Sequence, residues 1–300
     1  MLDPEEAVDR LAAVMKAPAG HRVLHAKGLF CSGTFNASPE AASLCRAVHL
    51  QGGRVPILVR WSHGSGRPDS NDDAPYVRGM AVSFVLPDGS STDILGQTVP
   101  RFPVRTPEDF VRLSEVARDR TALAKFLATR PRSALALAAN ARVKALAPPK
   151  SYAEATYFPV HAFRWLTLSG HGTWVRYRLV PQATPRDRPA ERFTGRDRLR
   201  EEIRARLAQG PVRYDLVVTV AGPKDDPHNP MSVWKGSREL VAGWLDITTP
   251  EDDHEAEGDV VVFDPTRVVD GIELSDDPIL RYRPSAYSIS IERRSGHPHS

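Results

Sequence analysis

Near the C-terminus a tyrosine follows an arginine by four residues, in Arg283-Pro-Ser-Ala-Tyr287, and Arg293-Arg294 come soon after. On a helix, positions 283, 287 and 294 are one and three turns apart and share a face. That face carries a phenol flanked by two guanidiniums. Free tyrosine titrates near ~10, so a phenolate is costly to hold at neutral pH. A cation lowers that cost. At roughly 5 Å and an effective dielectric of ~20, one guanidinium favours the phenolate by about 3 kcal/mol, or ~2 pKa units. A ferric ion would supply the rest, which makes Tyr287 a candidate ligand for haem iron. Pro284 suits the first turn of a helix or a kink, and not an unbroken interior.

The pair acquires meaning from residues far upstream. His25 stands in Arg22-Val-Leu-His25-Ala-Lys27-Gly28. A single histidine among small and apolar residues is more often structural than catalytic. Residues 57–62 alternate as a strand, with Leu58, Arg60 and Ser62 on one side and Ile57, Val59 and Trp61 on the other. An arginine inside a strand usually meets an anion or a carboxylate.

These residues need elements to position them. Asp3 can cap a helix with Pro4 at its first position and Glu6 reaching back. Val8, Leu11, Ala12 and Met15 then form one apolar face, and Pro18 and Gly20 end it. After the polar loop 64–73, residues 81–86 and 92–97 read as a strand pair about the turn Pro87-Asp88-Gly89-Ser90. Thr106-Pro-Glu-Asp109 opens a helix with Phe110, Leu113 and Val116 on one face. An alanine-rich stretch to about Ala147 reads as two helices broken at Pro131. Residues 162–168 and 173–180 form a hairpin about Gly170-His171-Gly172. A charged helix covers 197–207, stopped by Gly210-Pro211. Strands follow at 213–220 and 240–248, then an acidic loop at 254–258 and a short extended stretch at 260–264. Strands at hairpin spacing without a βαβ rhythm predict an α+β protein whose core is an antiparallel β-barrel with inserted helices. A single domain over 1–300 is expected, with an N-terminal helical segment to residue 20 and a tail from 295.

Composition excludes several classes. The formal charge of +3 is small, so a pI near 8.9 does not argue for nucleic acid. Cys31 and Cys45 make no zinc pattern. No apolar run approaches a membrane span, and Asp3-Pro4-Glu5-Glu6 is wrong for a secretory signal. A cytoplasmic protein is expected.

In order along the chain, four motifs resemble haem catalases. Arg22-Val-Leu-His25-Ala-Lys-Gly resembles their distal-histidine segment. Val59-Arg60-Trp61-Ser62 with Arg78-Gly79-Met80-Ala81-Val82-Ser83-Phe84 resembles their next two strands. Asp93-Ile94-Leu95-Gly96-Gln97, then Pro100, Phe102, Arg105 and Phe110, resembles the segment closing over the haem. Phe263-Asp264-Pro265, Asp277-Pro278 and Arg283-x-x-x-Tyr287 resemble the proximal segment. The resemblance implies haem b with ferric iron ligated by Tyr287, which Arg283 keeps as phenolate. It implies that His25 moves the proton of hydrogen peroxide and that Ser62 orients the imidazole. Arg22, Arg60 and Arg294 would pair with the haem propionates, where a guanidinium fork suits a carboxylate. Phe110 would pack on the porphyrin.

The departures from the family carry expectations of their own. Gln97 stands where Asn is usual, and Ile291 stands where a histidine is usual. Gly64, Tyr76 and Pro103 replace the Val, Asp and Phe of the main channel. Only 24 residues precede His25 and six follow Arg294, so the chain resembles the minimal core of the catalase-related peroxidases. A haem peroxidase acting on hydrogen peroxide is expected, dismuting it weakly and oxidising a small organic reductant. Without the long arms that interlock subunits, a homo-oligomer smaller than an interlocked tetramer is expected, a dimer first. An allene oxide synthase-like enzyme is the alternative, disfavoured by Leu24 where that family has Thr. A non-enzymatic haem carrier is a second alternative, but it gives no reason for His25, Ser62 and the amide of Gln97 to occur together.

Overall fold

The structure is a computed structural model, and it describes residues 2–251 and 260–295. Its framework is nine antiparallel strands: β1 (Gly28–Ala37), β2 (Arg54–His63), β3 (Arg78–Val85), β4 (Ser91–Gln97), β5 (Ala162–Leu166), β6 (Gly172–Pro181), β7 (Val212–Val220), β8 (Arg238–Pro250) and β9 (Ile272–Leu274). They make one sheet in the order β4-β3-β2-β1-β8-β7-β6-β5-β9. The sheet curls on itself, and residues 157 and 158 stitch its two halves. Gln97 at the end of β4 bridges Phe158, and Tyr157 bridges Leu179 in β6. The antiparallel core with helical insertions, expected from the strand spacing, is therefore what forms.

Strand alternation fills the interior of the curl. Ile57, Val59 and Trp61 of β2 point inward and are buried with Phe35, Phe84, Tyr214 and Leu245. Burying one such side chain is worth about 1.5–3 kcal/mol. Arg60 and Ser62, on the other face of β2, are buried as well. A second layer must therefore cover the outer face of the sheet at that point.

That layer is helical. Asp3 caps α1 (Pro4–Met15) by accepting from the amides of Glu5 and Glu6. Thr106 caps α3 (Pro107–Val116) through the amide of Asp109. Between them in the chain, α2 (Pro39–Leu44) is one short helix. The alanine-rich stretch forms α4 (Arg120–Ala128) and α5 (Pro131–Arg142), separated at Pro131. The charged helix is α6 (Arg198–Gln209), and the C-terminal helix is α7 (Pro278–Arg294). Helices α1, α3 and α7 pack on one another. A smaller apolar core of Phe102, Val104, Leu113, Val116, Phe126, Val160 and Ile279 joins α3, α4 and α7 to the segments around residues 102–104 and 160.

The structure differs from the sequence expectation at several elements. β1, α2 and β9 were not anticipated, although β1 lies mid-sheet between β2 and β8. Residues 260–264 add no strand to the sheet. α7 starts at Pro278, so of the two places that suit Pro284, a first turn or a kink, the first is excluded and the proline sits inside the helix. The expected acidic loop at 254–258 lies outside the described residues. Among those described, no helix is long and apolar enough to cross a membrane.

Candidate active site

A cavity of about 310 Å³ lies between the outer face of the sheet and helices α1, α3 and α7. His25, Ser62, Gln97, Arg22, Arg60, Phe110, Arg283, Tyr287 and Arg294 all border it. Sequence separations of up to 272 residues, from Arg22 to Arg294, close at this one place.

One wall comes from the sheet. His25 immediately precedes β1 with φ of 60°, a left-handed conformation uncommon for a residue with a side chain. Arg60 holds that backbone from below. Its Nη1 donates to the carbonyl of His25 (2.9 Å) and its Nη2 to that of Ala26 (3.1 Å). The His25 Nδ1 lies 2.9 Å from Ser62 Oγ. Gly79 is paired with Ser62 across β2 and β3. A Cβ at position 79 would fall 2.6 Å from Ser62 Oγ and 2.8 Å from His25 Nδ1, so only glycine leaves room for the pair. Burial pushes the His25 imidazole down to about 3, and Arg60, His63, Arg22 and Arg283 push in the same direction. The ring is neutral at physiological pH. Gln97 brings its amide to the cavity from the end of β4, where its backbone N–H and C=O both pair with Phe158.

The opposite components come from α7. Arg283 Nη1 donates to Tyr287 Oη at 2.6 Å, one helical turn away. Its Nε donates to His161 Nε2 at 3.0 Å. A guanidinium can only donate, so His161 Nε2 must accept, and its proton sits on Nδ1. Nδ1 is 2.6 Å from Asp277 Oδ2. The other oxygen of Asp277 caps α7 through the amide of Ile279 at 2.8 Å. Burial lowers the His161 pKa while Asp277 opposes the shift. A directed chain of hydrogen bonds thus runs from a buried carboxylate through His161 and Arg283 to the phenol.

The remaining selected residues complete the rim. Arg22 Nη2 donates to the carbonyl of Val261 at 2.6 Å. Arg294 Nε donates to Ser290 O at 3.2 Å. Phe110 stacks on Phe102 with centroids 5.9 Å apart. Leu24, Met80, Val160 and Phe263 add apolar lining.

Sequence reasoning did not find His161, and Asp277 entered it only as part of a motif. Nor did it place Ala7, Val8 and Leu11 of α1 against the cavity. The apolar stripe of α1 was legible, but its target was not. Gly64, Tyr76 and Pro103, which replace the usual residues of the main channel, do not border this cavity. Gly64 is buried, and a Cβ there would meet Val77 Cγ2 at 2.5 Å. Tyr76 accepts from Arg118 and lies over His63.

The residues fit haem. A phenol oriented by a guanidinium and an imidazole oriented by a serine reach one cavity from different walls. Apolar side chains line it, and Arg22, Arg60 and Arg294 offer charge to carboxylates. The Tyr282 hydroxyl, on a residue that also borders the cavity, is buried with no hydrogen-bond partner among the described residues.

A fold of this kind with a tyrosine–histidine cavity defines a class, and comparison with known proteins names it. The family model described as Catalase matches residues 1–300. The chain belongs to the catalase family. It is 44% identical over 301 residues to the "Catalase-related peroxidase" of Mycolicibacterium paratuberculosis, covering 98% of this chain and 96% of that protein. The "Catalase-related peroxidase" of Synechococcus elongatus is 29% identical, over 97% of this chain and 88% of its own length. "Structure of a bacterial catalase" superposes with a TM-score of 0.78 at 22% identity, a likeness of fold. This chain covers 62% of that longer one.

Proposed function

We propose that this protein is a haem-dependent peroxidase of the catalase type, which decomposes hydrogen peroxide and oxidises small organic donors. The observation that carries the reading is the pairing, across one cavity, of His25–Ser62 with Tyr287–Arg283–His161–Asp277. Bound haem would supply the ferric iron that takes up the oxidising power of the peroxide and returns it to a donor. The protein would hold it through Tyr287, with Arg22, Arg60 and Arg294 on its propionates and Phe110 on its face. Arg283 donates to Tyr287 Oη and orients it toward the cavity. The neutral His161 fixes the second edge of that guanidinium.

On the distal side, His25 with its proton on Nδ1 toward Ser62 Oγ keeps a lone pair on Nε2. Nε2 takes a proton from one oxygen of the peroxide and delivers it to the other as the O–O bond breaks. Such assistance is typically worth ~10²–10⁴-fold. Gln97 supplies an amide near the same space. It is one methylene longer than the usual Asn, which moves the donor by up to ~1.5 Å. Dismutation needs a second peroxide held in a fixed pose, and small displacements cost orders of magnitude there. Donor oxidation tolerates a looser distal site. The inference is weak dismutation beside stronger donor oxidation, and it rests on Gln97.

Two measurements test this reading. Tyr287→Phe should abolish or scramble haem binding in the absorption spectrum, and full occupancy with an unchanged spectrum would remove Tyr287 as the ligand. Oxygen release and donor oxidation, measured in parallel for wild type and Gln97→Asn, should shift toward oxygen release in the variant. A wild type that already evolves oxygen as fast as a full catalase, unaltered by Gln97→Asn, would leave only the haem assignment standing.

A further inference from the structure

Behind the sheet wall of the cavity lies a second layer that the chemistry above does not use. His25, Ser62 and Gly79 face the cavity. Their near neighbours in the chain, Lys27, His63 and Arg78, point away from it and are buried. Lys27 is the unusual member. Its ammonium is 2.8 Å from the carbonyl of Ser70, 2.7 Å from Asp72 Oδ1, 2.6 Å from the carbonyl of Arg196 and 3.0 Å from Asp197 Oδ1. The side chains of Lys27 and Asp72 are both 0% exposed. An ammonium has three protons, so four oxygens at these distances saturate it. Asp72 is also engaged on its far side, where Oδ2 accepts from the amide of Leu199 at 2.9 Å, at the start of α6.

A buried ion pair seldom adds stability over an apolar pair of the same size, so its retention calls for another account. The chain path offers one. Lys27 is two residues from His25, whose backbone lies in the left-handed region at φ 60°. Between them, the Ala26 amide donates to Ser65 O at 3.0 Å, and the Lys27 carbonyl accepts from the amide of His63 at 2.9 Å. A strained backbone persists only where its surroundings over-determine it. Arg60 grips the carbonyls of His25 and Ala26 on the cavity side. The four-oxygen seat of Lys27 grips the same segment from the opposite side.

We propose that Lys27, seated on Asp72, is a positioning residue for His25: it locks the left-handed turn that brings the imidazole onto Ser62 and over the cavity. The role rests on His25 carrying the peroxide proton, as proposed above, and the two ideas can fail separately.

The test compares His25→Ala with the double variant Lys27→Met/Asp72→Asn. The double variant removes both buried charges together and keeps an oxygen for the Leu199 amide. Three readings are taken on each protein: the absorption spectrum with haem, the rate of reaction with hydrogen peroxide per haem, and the histidine ring resonances by NMR without haem. In the double variant the spectrum should stay that of wild type, because the α7 side is untouched. The peroxide rate should fall by about 10- to 100-fold, the scale expected for a misplacement of the order of an ångström. The His25 resonances should shift or broaden, even though the protein is folded. A purely structural role would lower the melting temperature and leave the rate per haem and the His25 resonances as in wild type; that result would overturn the proposal. A wild-type rate in His25→Ala would instead overturn the role of His25 itself. Should the double variant fail to fold, Lys27→Arg keeps the charge but cannot seat a planar guanidinium among the same four oxygens. The same loss of rate with an altered His25 signal is expected from it, and wild-type values for both would overturn the proposal.

Discussion

His25 is placed by contacts to its Nδ1 and its carbonyl, so the proposed proton transfer falls to the other ring nitrogen. Ser62 takes Nδ1, Arg60 takes the carbonyl, and Gly79 leaves the space. Removing the ring should separate chemistry from binding. His25→Ala is expected to keep haem, since no contact to α7 is lost, and to react with peroxide ~10²–10⁴ times more slowly. Stopped-flow rates equal to wild type would take His25 out of the mechanism. The depressed pKa, about 3, has its own consequence. In the proposed role the imidazole acts while neutral, and it stays neutral well below the usual midpoint near ~6.5. In short pH-jump measurements the peroxide rate should therefore stay level from pH 8 to about pH 5. An acid limb centred near ~6.5 would mean that the imidazole titrates as an ordinary exposed one.

Among the elements, α7 carries the most chemistry and the least regular sequence. Asp277 starts the helix and ends the hydrogen-bond chain from Tyr287, so a cap and a site share one carboxylate. Pro284 lies between Arg283 and Tyr287, well inside the helix. It can offer no amide to Leu280 O, and its ring crowds that carbonyl, which costs about 3 kcal/mol in a helix interior. Its place beside the Arg283–Tyr287 bond ties that cost to the site. Pro284→Ala should raise the unfolding free energy by about 1–3 kcal/mol and shift the spectrum of the ligated haem. A variant less stable than wild type in urea would mean that the surrounding packing requires the proline.

At the scale of the whole molecule, four of the described histidines sit neutral: His49, His63 and His161 are buried, and His25 is half-buried at the cavity. Burial is the largest cause in each case: His25 and His63 are pushed down to about 3, and His49 to about 4. The unfolded chain takes up protons near ~6.5 that these folded sites refuse. Stability is therefore fully present above ~6.5 and falls as the pH drops through about 4 toward about 3. His49 isolates the effect, because it lies away from the cavity. Its ring is 4.9 Å from that of Phe84 and 6.4 Å from that of Phe35, and its Nδ1 has no partner among the described residues. His49→Phe should reduce the steepness of the acid decline by up to about 1.4 kcal/mol per pH unit, one proton's worth. Urea unfolding at several pH values between 7 and 4 reads that slope directly. An unchanged slope would mean that His49 is already protonated in the fold.

Local rules were enough for much of this protein. Asp3 and Thr106 cap the helices they precede, because a side-chain oxygen satisfies amides only two or three residues ahead. Strand alternation alone put Arg60 and Ser62 on one face, and helical spacing alone put Arg283 beside Tyr287. The ordered motifs carried the family and its cavity residues. What was illegible depends on partners distant in the chain. β1 has Gly28, Ser32, Gly33 and Asn36 where a strand pattern wants branched residues, and it forms because β2 and β8 flank it. Gly33 even suits that place, since a Cβ would be 2.3 Å from the Asp246 carbonyl. His161 meets Asp277 and Arg283 across 116 and 122 residues. Lys27 finds its four oxygens on loops as far off as Arg196 and Asp197. Such residues look ordinary in sequence, because hydrogen bonding and desolvation act on spatial neighbours, and only the curled sheet with its helical cover determines who those neighbours are.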